Sequence, residues 1–297
     1  MLSPWLLGMR PKTLTAAAAP VAVGAALAFC DGVFALLAAL AALAGALLIQ
    51  IGTNLANDVL DYRRGIDDEA RLGPTRVVQA GLLPAGQVTA AAAGAFALAA
   101  ALGLYLVHVS GWPILVVGVA AIVSGVLYTA GPVPLAYVGL ADMFVLVFFG
   151  LAAVAGTYYV QALTVTPASL AYGVAVGALS VAILNVNNLR DIDTDRRAGK
   201  RSLAVRLGAP ATRTYYAASV LAAFAVPWLQ ALSGDYWLPA LFSLLALPDG
   251  LKAIGAVRGG AKGRELNPVL GQTARLQAAH ALLLSVGLVA ESLLYGA

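Results

Sequence analysis

The sequence predicts an all-α protein: a polytopic membrane helix bundle of about nine spans. Three observations predict it. Of 297 residues, 61% are hydrophobic and only 11% are charged, whereas an ordinary soluble domain carries about 25% charged residues. Long apolar runs recur along the whole chain, near the roughly 20 residues that a helix needs to cross a bilayer core. Finally, all 18 Lys and Arg fall at or beyond the ends of the runs on one side of a nine-span arrangement.

Taken in order, the runs are 13–30, 34–56, 86–107, 112–128, 140–161, 168–188, 212–232, 236–254 and 274–295. They are continuous and lack strand-like alternation, which selects helices over a barrel. Their Ala, Leu and Gly suit close helix packing in lipid. The first run has the length of a signal peptide, but the spans that follow favour an uncleaved helix.

The basic residues orient the bundle. Arg10 and Lys12 precede the first span, and Arg63, Arg64, Arg71 and Arg76 follow the second. Arg190, Arg196, Arg197, Lys200, Arg201, Arg206 and Arg213 follow the sixth. Lys252, Arg258, Lys262, Arg264 and Arg275 surround the eighth-to-ninth connection. That side is expected to be cytoplasmic, with the N-terminus inside, in a plasma (inner) membrane of bacterial or archaeal type. The opposite connections, Asp31-Gly32 and Ser233-Gly234-Asp235, are short turns. The chain reads as one domain, 1–297, with loops 57–85 and 189–211 capping a site, and Gly255 to Gly263 reads as a flexible loop.

This composition excludes a soluble enzyme, a disordered chain and a coiled coil. The net charge of +4 does not point to nucleic acid, because the basic residues flank membrane spans. One cysteine, Cys30, leaves no intramolecular disulfide and no Cys-rich metal site. His108 and His280 are too far apart in sequence to form a ligand-spaced pair. Phosphate-binding glycine loops, nucleophile elbows and zinc-binding His motifs are absent from the sequence.

Two acidic clusters carry the chemistry. Asn54, Asn57, Asp58 and Asp61 share one helical face at the end of the second span. Asn187, Asn188, Asp191 and Asp195 share one at the end of the sixth, with Asp193 pointing away. Asn57-x-x-x-Asp61 and Asn187-x-x-x-Asp191 read as a weak internal repeat, each followed by an Arg-Arg pair. Two such carboxylate sets on one membrane side repel each other unless a cation lies between them. Mg²⁺ takes one or two carboxylates together with substrate phosphates, and Asn carbonyls add ligands without charge. Arg63, Arg76, Arg190 and Lys200 suit the remainder of a diphosphate. The competing reading is a cation or solute transporter. Transporter sites usually lie near the midplane on broken helices, whereas these acids end helices beside Arg pairs.

These motifs resemble the UbiA superfamily of intramembrane prenyltransferases, and within it the branch acting on 1,4-dihydroxy-2-naphthoate. The resemblance rests on Arg10-Pro11-Lys12-Thr13-Leu14, on Asn54 to Asp67, and on Gly73-Pro74-Thr75-Arg76 continuing to Gln79-Ala80-Gly81. It continues in Leu127 to Pro132, in Tyr137-Val138-Gly139-Leu140-Ala141-Asp142, and in Asn187 to Lys200 running on to Gly208. It covers most of the first 210 residues; beyond them the match is hydrophobic spans alone. Gly65 stands where the superfamily often has a third acidic ligand, and Asp67 is the substitute; Val133 replaces a Lys that some relatives carry.

The resemblance implies Mg²⁺-dependent transfer of a polyprenyl group from polyprenyl diphosphate to 1,4-dihydroxy-2-naphthoate, with loss of CO₂ and diphosphate. Other aromatic acceptors, 4-hydroxybenzoate or homogentisate, are the alternative. It implies Asp61, Asp191 and Asp195 as catalytic metal ligands, with Asn57, Asn188, Asp58 and Asp67 in the metal set. Arg63, Arg76, Arg190 and Lys200 would grip the diphosphate, Lys200 from a loop that Gly199 makes flexible. Substrate contacts fall to Arg10, Lys12, Asn54, Tyr128 and Tyr158, with Tyr159 a further aromatic candidate. Arg10 and Lys12 would pair with the acceptor carboxylate or serve topology alone, and the tyrosines would face the allylic cation or anchor the membrane interface. The expected partners are the two substrates and membrane lipid, with no nucleic acid and no indication of oligomeric state.

Overall fold

The computed structural model describes residues 3–63, 73, 75–127, 137, 139–234 and 236–296, the side chain of Lys12 excepted. No strand occurs among them. Ser3 caps a short helix α1 (Pro4–Met9), which the sequence reading did not anticipate. Arg10, in the left-handed region at φ 54°, turns the chain into α2 (Pro11–Cys30). Then follow α3 (Leu36–Arg63), α4 (Ala85–Ser110), α5 (Trp112–Leu127) and α6 (Ala141–Leu146). A π turn at Val147–Leu151 joins α6 to α7 (Ala152–Ala162). The rest of the bundle is α8 (Pro167–Arg190), α9 (Ile192–Arg197), α10 (Leu203–Leu232), α11 (Trp237–Ser243), α12 (Leu247–Arg258) and α13 (Leu266–Tyr295).

Among the described residues, eight helical segments are long and apolar enough to cross a membrane, and α5 is shorter at 16 residues. The expected nine runs therefore become eight full-length spans and one short one. At about 1.5 Å per residue α5 reaches roughly 24 Å, less than the ~30 Å hydrocarbon core. It nonetheless returns the chain from one end of the bundle to the other.

Hydrogen bonds identify the two ends. At one, Tyr158 and Tyr236 donate to Asp31, and the Leu238 N–H donates to Glu291. At the other, Arg190 donates to Asn267, Arg213 to the Ala261 carbonyl, and the Arg201 N–H to the Tyr137 carbonyl. Both acidic clusters lie at the second end, which is called the polar end below.

Helix α8 is buried on nearly all sides and is the centre of the bundle. It packs on α10, α13, α6 and the π turn. Small residues set the approach: a Cβ on Gly150 would meet the Gly173 carbonyl at 2.5 Å. Within α10, Gly208 leaves helical geometry at φ 77° just before Pro210, so the helix is kinked there and a short first segment precedes the span proper. The segment expected to be a loop from Gly255 is helical through Arg258, because α12 continues to that residue.

Candidate active site

The first cluster is built by α3 and the turn that follows it. Asp58 is 1% exposed. Its two oxygens accept the Val77 and Val78 N–H groups at 3.0 and 3.1 Å. These two hydrogen bonds fold the turn back onto α3, a structural part that the sequence alone did not assign to Asp58. The adjacent Arg76 is delivered to Asp61, with which it forms a buried ion pair. Asn57 is buried beside them.

Asn54 joins three helices. Its Nδ2 donates to the Met9 carbonyl and to Thr13 Oγ1, both at 2.9 Å, and its Oδ1 accepts from Gln50. Its amide ties α1 and α2 to α3. Arg63 is exposed at the last residue of α3. Two residues beyond Asp61, it lies about 200° around the helix, off the face that carries the cluster. Arg10 lies between α1 and α2 beside this tie. Asp67 and Tyr128 lie outside the described residues, as does the side chain of Lys12.

The second cluster is built at the α8–α9 junction. Arg190 holds Asp191 through two hydrogen bonds, 2.8 Å from Nε and 2.6 Å from Nη2. The same guanidinium donates to Asn187 at 2.9 Å and to Asn267 of α13 at 3.1 Å. Asn188 and Asp195 are buried, while Asp193 faces water as expected, its side chain 82% exposed. Lys200 lies 3.2 Å from Asp195 Oδ1 and 5.1 Å from the centre of the Tyr137 ring. Backbone hydrogen bonds hold the Lys200 loop in this position. Gly199 takes a left-handed φ of 72°, the Lys200 N–H donates to the Asp195 carbonyl, and the Arg201 N–H donates to that of Tyr137.

The electrostatics join the clusters. Burial by itself would lower the Lys200 pKa, but Asp195, Tyr137 and, from the first cluster, Asp61 together raise it. Burial pushes the Asp195 carboxyl up and Asp191 adds to this, against the opposing charges of Lys200 and Arg190. Asp61, Asp191 and Asp195 thus each hold a cation: Arg76, Arg190 and Lys200.

Among the described residues, no three His, Cys, Asp or Glu side chains gather closely enough to hold a metal ion by themselves. The donor set still fits Mg²⁺. A carboxylate has about four lone-pair sites, so one basic partner leaves room for a metal. Mg²⁺ is commonly held by one or two carboxylates plus substrate phosphates rather than by an all-protein cage. Such an arrangement frees the paired Arg and Lys side chains to turn toward those phosphates.

Tyr158 belongs elsewhere. Its hydroxyl donates to Asp31 at 2.6 Å at the far end, where Tyr236 donates to the other Asp31 oxygen at 2.6 Å. Tyr159 donates to the Ser110 carbonyl at the same end. Neither tyrosine borders the acidic clusters. Tyr137 does border one, beneath Lys200, and the sequence reading placed it within a motif without assigning it a part. Asn267 was also missed, since α13 was legible only as a hydrophobic span.

The family model described as the UbiA prenyltransferase family matches residues 17–255. The chain is 44% identical over 269 residues to a 1,4-dihydroxy-2-naphthoate octaprenyltransferase of Mycobacterium tuberculosis, covering 91% of each protein. It is 40% identical over 271 residues to the Escherichia coli protein of the same name, covering 89% of this chain and 86% of that one. Its fold is similar to a UbiA homolog from Archaeoglobus fulgidus, solved bound to DMAPP and Mg²⁺. The TM-score is 0.70 at 16% identity, over 97% of this chain and 99% of the other.

Proposed function

The chain belongs to the UbiA prenyltransferase family, and from that premise we infer a multi-pass membrane enzyme. It transfers a polyprenyl group from polyprenyl diphosphate to 1,4-dihydroxy-2-naphthoate, with loss of CO₂ and diphosphate, giving demethylmenaquinol for menaquinone synthesis. The observation that carries this reading is the pair of Asn/Asp clusters, in which Asp61, Asp191 and Asp195 are each countered by a base, at one end of a chain so similar to naphthoate prenyltransferases.

In this reading Asp61, Asp191 and Asp195, assisted by Asn57 and Asn188, hold Mg²⁺. When bound, the ion neutralises the charge that develops on the leaving diphosphate. Arg76, Arg190 and Lys200 exchange their carboxylate partners for phosphate oxygens, and Lys200 does so as a compact point charge. Tyr137, under Lys200, presents the aromatic face nearest the departing group. Arg10 and Lys12 receive the acceptor carboxylate. The described parts of 57–85 and 189–211 lie at this end, which faces the cytoplasm.

The test is prenyl transfer by the purified protein in liposomes, offered the naphthoate, 4-hydroxybenzoate and homogentisate in turn, with and without Mg²⁺. Transfer to the naphthoate that stops when Mg²⁺ is chelated is expected. Transfer only to another acceptor, or full activity after chelation, overturns the reading.

A further inference from the structure

One buried charge at the polar end has no partner. Asp142, the second residue of α6, is 5% exposed, and neither of its oxygens accepts a hydrogen bond from another group. An isolated carboxylate taken out of water is costly unless something donates to it. The neighbouring elements show what surrounds it. Leu146 and Gly150 abut Gly177 and Gly173 of α8, and the two helices run antiparallel. One turn closer to the polar end, the same register brings Asp142 opposite Val181, with Asn185 one further turn along α8; Cβ bonds lean toward each helix's N-terminus, so in this antiparallel pair the two side chains lean toward one another. Asn185 is 1% exposed, and its Nδ2 has no acceptor. On the third side, Tyr215 of α10 lies within electrostatic range of Asp142.

The depth is informative. Five residues before Asp142, Tyr137 lies under Lys200, and Gly139 packs against Arg206 and the Arg201 carbonyl. Asp142 and Asn185 therefore sit just below the groups assigned to the diphosphate. The allylic carbon is one bond from that diphosphate, so the ring that attacks it must lie at this level. An orphan acceptor about a turn from an orphan donor leaves room for a single hydroxyl between them, which donates to one and accepts from the other.

We propose that Asp142 and Asn185 form the seat for a ring hydroxyl of the aromatic acceptor, with Asp142 as its general base. This rests on the prenyl-transfer reading above. The hydroxyl proton passes to Asp142, and its electron pair enters the ring. The ring carbon bearing the carboxylate forms the C–C bond to the allylic carbon, while the allylic C–O bond breaks and its electrons leave with diphosphate. The bond to the carboxylate then breaks, CO₂ departs, and its electron pair restores the aromatic ring and the ring oxyanion. Asp142 returns the proton to that oxygen, so no net proton is gained or lost. Asn185 Nδ2 donates to the oxygen while it is charged.

The test compares two ligands that differ by that hydroxyl, 1-hydroxy-2-naphthoate and 2-naphthoate, bound at equilibrium to the full-length protein without donor. The wild type is expected to favour the hydroxylated acid by about 10- to 150-fold, the worth of one hydrogen bond to a charged group. Asp142→Ala should bind both acids alike, with 2-naphthoate at wild-type strength as the control for folding. Asp142→Asn should lower turnover by at least about 100-fold, the range for a lost general base, while raising the melting temperature because a lone buried charge is gone. The proposal falls if the wild type shows no preference, if Asp142→Ala keeps it, or if Asp142→Asn melts earlier with turnover intact. Wild-type prenyl transfer, measured alongside, separates the two claims. Transfer without a hydroxyl preference leaves the function and removes the seat, whereas a preference without transfer does the reverse.

Discussion

Asp58 and Asp61 lie three residues apart on one helical face and do different work. Asp58 holds two backbone N–H groups, and Asp61 holds Arg76. Asp58→Ala leaves two buried donors unsatisfied, at about 1–3 kcal/mol each, so chemical denaturation should show a loss of roughly 2–5 kcal/mol. Asp61→Asn and Asp191→Asn should instead leave the protein folded and remove most prenyl transfer. Asp193→Asn, at an exposed position, should be mild by comparison. Near-normal turnover of either site variant at saturating Mg²⁺ would count against the two-cluster site. The shared face was legible from spacing alone. The division of labour on it was not, because it depends on which backbone groups a later turn brings back to α3. Lys200 shows the same limit. Its place after the acidic motif was readable, but its clamp over Tyr137 depends on residues about sixty positions earlier. Lys200→Ala should lower use of the prenyl diphosphate by about 10- to 150-fold through one lost charged hydrogen bond. Lys262→Ala, exposed on a neighbouring loop, should have little effect. Equal small effects would return Lys200 to a role in topology.

At the scale of the helix, apolar runs gave the spans to within a few residues at most ends, since the bilayer constrains their length and composition. What the runs do not encode is irregularity. Helix α1 is too short to register, and the break at Gly208 and the π turn at Val147–Leu151 lie inside apolar sequence. The surroundings of Tyr158 were not legible for a related reason. Position along α7 says how far Tyr158 is from each helix end, but its partner Asp31 belongs to α2's C-terminal cap and is met only after folding. That hydrogen bond makes a structural prediction. Tyr158→Phe removes one donor from Asp31 and should cost about 1–3 kcal/mol of stability, seen as a lower melting temperature. The acceptor's KM should not move, since the hydroxyl is at the end away from the clusters. A raised KM with unchanged melting would restore Tyr158 to the substrate site. Gly177→Val tests the opposite end of the same logic. Any Cβ there meets Gly150 Cα at 2.9 Å and Leu146, so α6 must move off α8 and carry Asp142 with it. Turnover should fall while the ion pairs at the mouth persist.

For the whole molecule, the arrangement of charge is the strongest constraint on how the bundle sits in its membrane. The chain alternates between its two ends through every helical crossing, α5 included, and the two ends differ in kind. Asp31, Ser233 and Glu291 mark a far end of short turns, closed by tyrosine–carboxylate hydrogen bonds. Arg76, Arg190, Lys200 and Arg206 mark the end that carries the acidic clusters, and the sequence reading assigns all 18 Lys and Arg to that side. Positive loops are retained on the cytoplasmic side, so the site should open to the compartment from which both charged substrates arrive. Single cysteines decide the point. Cys30 is buried and is replaced by Ser to give a silent background. Gly199 and Ser233 are both exposed, so a cysteine at either is within reach of a reagent. On intact cells, a membrane-impermeant maleimide should label Ser233→Cys at once and leave Gly199→Cys untouched until the membrane is opened. Labelling at position 199 from outside would place the acidic clusters on the external face. The charge argument would then fail, and with it the assignment of a cytoplasmic mouth, although the bundle itself would stand.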